Sequence, residues 1–255
     1  MIIDTHAHLC DEQFNADIGQ VISRAAQKDV RRIISVSESI TDAKKNLLLA
    51  QKYPVIFPAA GLFPTDLDPE HAEEMINFIR DNQKEWIAVG EVGLDFWAVK
   101  SDEEQQLQRE IFRRFILLAK ELDIPLNIHS RSAGKYVIQM LLENEAEKVQ
   151  LHAFDGKASS ALPAVEAGYF FSIPPSIIRS RQKQKLVKQL PLDRLLLETD
   201  SPVLGPTPGQ RNEPENIVLA LKKVAEIKEI HEKQVEEAVF ENTCQLYGFR
   251  AEDFS

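Results

Sequence analysis

Apolar residues fall along this chain in two alternating rhythms. Short runs rich in β-branched or aliphatic side chains lie at Met1 to Thr5, Arg32 to Val36, Val55 to Ala60, Ile87 to Val92, Pro125 to His129, Val149 to His152, Tyr169 to Ile173 and Arg194 to Thr199. Each reads as a strand. Between them lie longer stretches in which apolar residues recur every three or four positions. The clearest is Asp102 to Leu122, where Leu107, Ile111, Phe115, Leu118 and Leu122 share one helical face and Glu, Gln, Arg and Lys fill the others. Further helices are expected to begin near Phe14, Thr41, Pro69, Ala133, Ser159, Ser176 and Pro214. The stretch from Ile230 to Phe249, with Val235, Ala238, Val239 and Leu246, reads as a terminal helix on the outside of the fold.

The strand runs are nearly continuous in apolar residues and lack strict alternation, which is how strands buried on both faces of a parallel sheet read. Eight strand and helix pairs point to an α/β fold of the (β/α)8 TIM barrel type. A doubly wound open sheet stays as the alternative, because periodicity does not report closure. The 255 residues suit one domain spanning 1–255, with no internal repeat or linker.

A barrel places its chemistry at the carboxyl ends of the strands, where the βα loops converge. His6 and His8 fall at the end of the first strand, Glu91 at the fourth, His129 at the fifth, His152 at the sixth and Asp200 at the eighth. The remaining histidines, His71 and His231, lie in polar, helical surroundings. Alternate residues of a strand project to one face, so His6 and His8 can both point into the barrel mouth. Imidazoles with carboxylates suit Zn2+, and carboxylate-rich sites also take Mn2+ or Mg2+. Six candidates exceed the needs of one ion and point to two, one carboxylate bridging, at the roughly 3.5–4 Å separation of dinuclear hydrolases. Singly, each residue has an ordinary structural explanation: a buried hydrogen-bonded Glu91, or an Asp200 capping the turn before Ser201 and Pro202. Their joint placement on one rim is what favours the metal reading.

The 44% hydrophobic and 27% charged residues are those of an ordinary soluble protein. Cys10 and Cys244 are too few for a disulfide framework and lack metal-site spacing. With no leader-like start and no membrane-length apolar run, a cytoplasmic protein is expected, or a nuclear one in a eukaryote. The net charge of -10 argues against a long basic groove for duplex nucleic acid. Short or single-stranded ends fit that charge better.

The stretches DTHAHL, GEVGLDF, NIHSRSAG, LHAFDG, FFSIPPSIIRS, LETDSPVLGP and RNEPENI run through nearly the whole sequence. Together they resemble the TatD family of metal-dependent deoxyribonucleases, among the amidohydrolase-like barrels. HSRSAG, HAFDG and SIPPSIIRS are similar to the subgroup that contains the third human TatD-domain protein. The resemblance implies a TIM barrel, two divalent metal ions, and hydrolysis of phosphodiester bonds in DNA, with exonuclease activity common and no membrane or obligate protein partner evident. It carries over His6, His8, Glu91, His129, His152 and Asp200 as metal ligands, with Glu91 bridging; a carboxylate ligand suits the base role toward metal-bound water, and Asp200 is the residue expected to fill it. One departure is Phe63 in GLFP, where the family commonly has a histidine. Phe63 is expected to pack in its loop, with a base-stacking role as the alternative. Arg131 and Arg211 are the expected phosphate-binding residues, since a planar guanidinium holds two oxygens at once. Lys135, Arg179 and Arg181 are further phosphate candidates for which a solvated helix face is the alternative, and Asp4 and Asp95 are candidates to orient ligand imidazoles, with a purely structural role as the alternative.

Two other functions compete at this stage. One is a small-molecule amidohydrolase or phosphotriesterase on the same barrel, which the absence of a lysine from the fourth strand disfavours. The other is a metal-binding barrel without catalysis.

Overall fold

Every apolar run predicted to be a strand is one in the structure, a computed structural model that describes residues 1–250. The strands are β1 (Ile2–Ala7), β2 (Val30–Ser35), β3 (Ile56–Ala60), β4 (Ala88–Gly93), β5 (Leu126–His129), β6 (Val149–Leu151), β7 (Phe170–Ile173) and β8 (Leu195–Leu197). All pair in parallel, in chain order.

The helices follow in alternation: α1 (Ile18–Gln27), α2 (Ile40–Lys52), α3 (Pro69–Asp81), α4 (Asp102–Leu122), α5 (Gly134–Glu143), α6 (Leu162–Glu166), α7 (Arg181–Gln189) and α8 (Ile217–Lys228), with α9 (Glu232–Tyr247) as a terminal addition. Their boundaries have local causes. The Ser101 hydroxyl caps α4 by accepting from the Glu104 N–H at 3.2 Å, and three acidic residues in the first turn suit the helix dipole. Asp123, in the left-handed region at φ 55°, ends that helix. The starts expected near Phe14, Ser159, Ser176 and Pro214 prove to be short 3-10 turns at Glu12–Phe14, Ala158–Ala161, Pro175–Ile178 and Pro214–Asn216, with the α-helix following each. At Pro175 and Pro214 the fixed φ suits a first turn, which is why the apolar pattern starts early there.

The open-sheet alternative fails at the seam between β1 and β8. The Asp200 N–H donates to the His6 carbonyl at 2.8 Å, the His8 N–H to the Ser201 carbonyl at 2.7 Å, and the Thr5 hydroxyl to the Leu197 carbonyl at 2.9 Å. The Asp4 carboxylate accepts from the Thr199 N–H and hydroxyl at 2.9 and 2.5 Å. The sheet therefore curls into a nearly closed barrel whose last stitch lies among the expected ligands.

α9 covers the outside of the seam. Asn242 donates to the carbonyls of Leu192 and Leu195, and the buried Tyr247 sends its hydroxyl to Gln150 Oε1 at 2.5 Å, accepting in turn from Asn127 Nδ2 at 3.2 Å. Among the described residues no helix is long and apolar enough to cross a membrane.

Candidate metal centre

Strand alternation delivers the first two imidazoles. His6 Nε2 and His8 Nε2 lie 3.2 Å apart; from Asp200 Oδ1 they are 3.4 and 3.2 Å, and from Glu91 Oε2 3.6 and 3.4 Å. A tetrahedral ion with bonds of about 2.0–2.1 Å needs donors separated by about 3.3–3.4 Å. These five separations lie close to that requirement. The other Glu91 oxygen, Oε1, faces a different group, 3.1 Å from His152 Nε2 and 2.5 Å from His129 Nδ1. One buried carboxylate is thus shared between two sets of nitrogen donors. Three trios of possible ligand atoms, each within 4.8 Å of one another, come together here: His6, Glu91 and His152; His6, His8 and Asp200; and His8, Glu38 and Glu91.

Glycine makes the close approach of β4 to β5 possible. A Cβ on Gly93, at φ 149°, would stand 2.0 Å from the His129 carbonyl oxygen. Only hydrogen fits there.

A buried hydrogen-bond circuit holds the rings. His6 Nδ1 donates to Asn127 Oδ1 at 2.8 Å, which leaves the Nε2 lone pair directed at the donor cluster. From Asn127 the circuit runs through Tyr247 to Gln150, whose Nε2 donates to the Ser172 hydroxyl at 2.8 Å; that hydroxyl donates to Glu198 Oε2 at 2.5 Å. Glu198 Oε2 lies 3.4 Å from His152 Nδ1, which is buried and makes no hydrogen bond. His6 and His152 stack with ring centroids 3.8 Å apart.

The charges reinforce one another. Burial opposes ionisation of Glu91, yet His152 and His129 hold its carboxyl well below the ordinary value. Asp200 is likewise buried and is held below the usual carboxylate range by the neighbouring His6, His8 and His152 imidazoles. Burial pulls the His8 imidazole down, but Asp200 and Glu91 outweigh it and push it up to about 9. His129 and His152 are raised in the same way, against burial, the first by Glu91 and Asp95 and the second by Glu198 and Glu91. Ion ligation requires neutral imidazoles, so these carboxylates can trade protons for a divalent cation.

The structure brings His6, His8, Glu91, His152 and Asp200 into the ligand trios, whereas His129 lies between carboxylates, with Nε2 3.1 Å from Asp95 Oδ2. Asp95 therefore reaches a ring as expected, and also accepts from the N–H groups of Trp97 and Ala98. Asp4 does not. Its carboxylate bonds Thr199 and the His6 backbone N–H, and burial raises its pKa to about 8; it stitches the seam and orients no imidazole. Arg211 is placed otherwise than expected. Its guanidinium grips both Asp17 oxygens at 2.8 and 2.7 Å and Glu213 at 2.6 Å, and stacks 5.1 Å from the Phe14 ring centroid, away from the cavity. A fork so saturated with carboxylates has little left for phosphate.

Arg131 does line the cavity, a space of about 470 Å³ over the ligands, and its guanidinium lies 3.7 Å from the ring centroid of the exposed Trp97. Phe63 lines it too, edge-on to His129 at 5.1 Å. Lys135 and Arg181 are exposed, and Arg179 bonds the Gly205 carbonyl. Four residues of the site escaped the sequence reading: Glu38, Asn127, Lys183 and Glu198. Asn127 and Glu198 had a usable signal, because they stand two positions before His129 and Asp200. Glu38 follows the second strand and had the same rim cue. The direction of Lys183, on a helix, had none.

Comparison with known proteins agrees with this geometry. A family model described as TatD related DNase matches residues 3–248. The chain is similar to human deoxyribonuclease TATDN3, 42% identical with 96% of this chain and 94% of that protein covered. It is similar also to the metal-dependent hydrolase YabD of Bacillus subtilis, at 34% identity over 97% and 99%. Among solved structures, YJJV, a TatD homologue from Escherichia coli, superposes with a TM-score of 0.89 at 28% identity, covering 98% of each chain.

Proposed function

This chain belongs to the TatD-related DNase family and is a metal-dependent hydrolase of ester bonds; from that premise we propose that it cleaves phosphodiester bonds in DNA, working from single-stranded or frayed ends with two divalent ions. The observation that carries the reading is Glu91, whose two oxygens face two separate groups of nitrogen donors. His6, His8, Asp200 and Glu91 Oε2 would hold one ion, and Glu91 Oε1 with His152 and His129 the other. Bound there, Zn2+, Mn2+ or Mg2+ supplies Lewis-acid polarisation of the phosphate and of an attacking water.

The protein's own groups supply the rest. Asp200 is a carboxylate at neutral pH, and its Oδ2, the oxygen not shared with the two imidazoles, takes the proton of the attacking water. Glu91 stays anionic and keeps both sets of imidazoles in place. Arg131, with its plane set by Trp97, holds the phosphate at the rim. Glu38 and Asp155 on the cavity wall, within a chain of net charge -10, disfavour long duplex and leave strand ends as the substrate.

The test is turnover of short end-labelled single-stranded DNA by protein loaded with Mn2+ or Zn2+. Asp200→Asn is expected to lose at least about 100-fold in kcat, and Arg131→Ala to raise KM. Unchanged turnover in Asp200→Asn refutes the proton-acceptor role, and faster cleavage of internal duplex sites than of ends refutes the preference for ends.

A further inference from the structure

The cavity is lined by a second cation besides Arg131. Lys183, in the first turn of α7, is half-buried and lines the cavity, and its ammonium makes one hydrogen bond, to the Ala153 carbonyl at 2.9 Å. Two of its three donors are unused. Among the described residues it forms no ion pair, although Glu198, Asp155 and Asp200 act on it from a distance and burial lowers its pKa. The contrast with Arg24, Arg80, Arg114 and Arg211 is direct, since each of these is closed by a carboxylate. A cation withdrawn from water is costly unless an anion meets it. The first turn of α7 also carries no acidic residue, so its dipole adds to the positive field.

We propose that Lys183 binds a second phosphate of the substrate, the neighbour of the phosphodiester being hydrolysed, so that the site selects nucleic-acid ends presenting two adjacent phosphates. The inference rests on the hydrolase reading above. The scissile phosphate belongs at the ligand cluster with Arg131 on the rim. Lys183 pairs with neither Glu91 nor Asp200 and is held to the Ala153 carbonyl in the loop after β6. Gln182 beside it donates to the carbonyls of Phe154 and Gly156, which fixes that loop independently of the lysine.

The experiment compares bis(4-nitrophenyl) phosphate, an unphosphorylated thymidine dinucleotide and the same dinucleotide phosphorylated at its 5′ or 3′ end, using wild type, Lys183→Gln and Lys183→Arg. Wild type is expected to show a KM at least about tenfold lower for one phosphorylated dinucleotide than for the unphosphorylated one. Lys183→Gln, which keeps a donor for the Ala153 carbonyl, is expected to erase that difference while leaving the other two substrates and the metal content unchanged. Lys183→Arg is expected to retain it. An equal loss on all substrates in Lys183→Gln, together with a lower Tm, would show a loop tether and overturn the proposal, as would a wild type indifferent to the terminal phosphate. Should wild type cleave none of the substrates at any metal loading, the hydrolase reading fails separately. Calorimetric binding of the phosphorylated and unphosphorylated dinucleotides to wild type and Lys183→Gln then decides the role of Lys183 by the same criterion.

Discussion

Replacing Asn127 by leucine isolates what the hydrogen-bond circuit does for the ligand rings. Asn127 is fully buried; it accepts from His6 Nδ1 and donates to the Thr5 carbonyl and the Tyr247 hydroxyl. Leucine has the same number and branching of side-chain heavy atoms, so no cavity forms. The Thr5 carbonyl keeps Gln150 Nε2 at 3.2 Å, and the Tyr247 hydroxyl keeps Gln150 Oε1. His6 Nδ1–H alone is orphaned, at a cost of about 1–3 kcal/mol. For a chain of this size each kcal/mol lowers Tm by about 2–4 °C, so a fall of about 2–12 °C is expected in metal-free protein. The ring can escape the penalty by moving its proton to Nε2, and that removes the lone pair aimed at the donor cluster. Loss of such a ring partner lowers metal affinity by about 10–100-fold. Calorimetric melting and competition against a fluorescent chelator read the two effects separately. Asn127→Asp restores an acceptor for Nδ1–H and is expected to recover most of the affinity. Wild-type affinity and Tm in Asn127→Leu would refute the claim that Asn127 sets the His6 tautomer.

Arg211→Ala is expected to lower Tm and leave kcat/KM unchanged, because its guanidinium serves the Asp17 and Glu213 carboxylates; a raised KM at unchanged Tm would restore it as a phosphate ligand. Asp17 is held below its ordinary value by its hydrogen bond to Arg211, and Glu213, against burial, by Arg24 and Arg211. Their contribution is therefore present above the ordinary values of 3.8 and 4.5 and lost as pH falls below them, so urea melts should show wild type losing its advantage over Arg211→Ala in that acid range. Saturating Zn2+ or Mn2+ at a hundred times its dissociation constant is expected to add about 2.7 kcal/mol, visible as a chelator-reversible rise in Tm that His8→Ala largely removes. An equal rise in His8→Ala would place the ion elsewhere.

The barrel was legible because buried parallel strands write themselves as apolar runs, and the rim was legible because strand ends are countable. His6, His8, Glu91, His152 and Asp200 meet in the structure for that reason. What the sequence hides is where a side chain goes after it leaves the backbone. Arg211 and Arg131 looked alike as cations near the rim, but Asp17 and Glu213, far apart in sequence, claim one of them, while Trp97 braces the other. Asp4 looked like a partner for imidazole because it shares a strand face with His6, whereas Thr199 across the seam takes up its carboxylate. Tyr247 reaches the barrel interior only through the packing of α9, a contact that no local pattern announces.

The central claim is that hydrolysis depends on two ions shared through Glu91. It is tested most directly by titrating metal-free protein with Mn2+ or Zn2+ while following digestion of end-labelled single-stranded DNA, in wild type and in Glu91→Gln. Turnover that tracks occupancy up to two equivalents per chain and collapses in Glu91→Gln is the expected result. Full turnover without added metal, or a wild-type rate in Glu91→Gln, would contradict it.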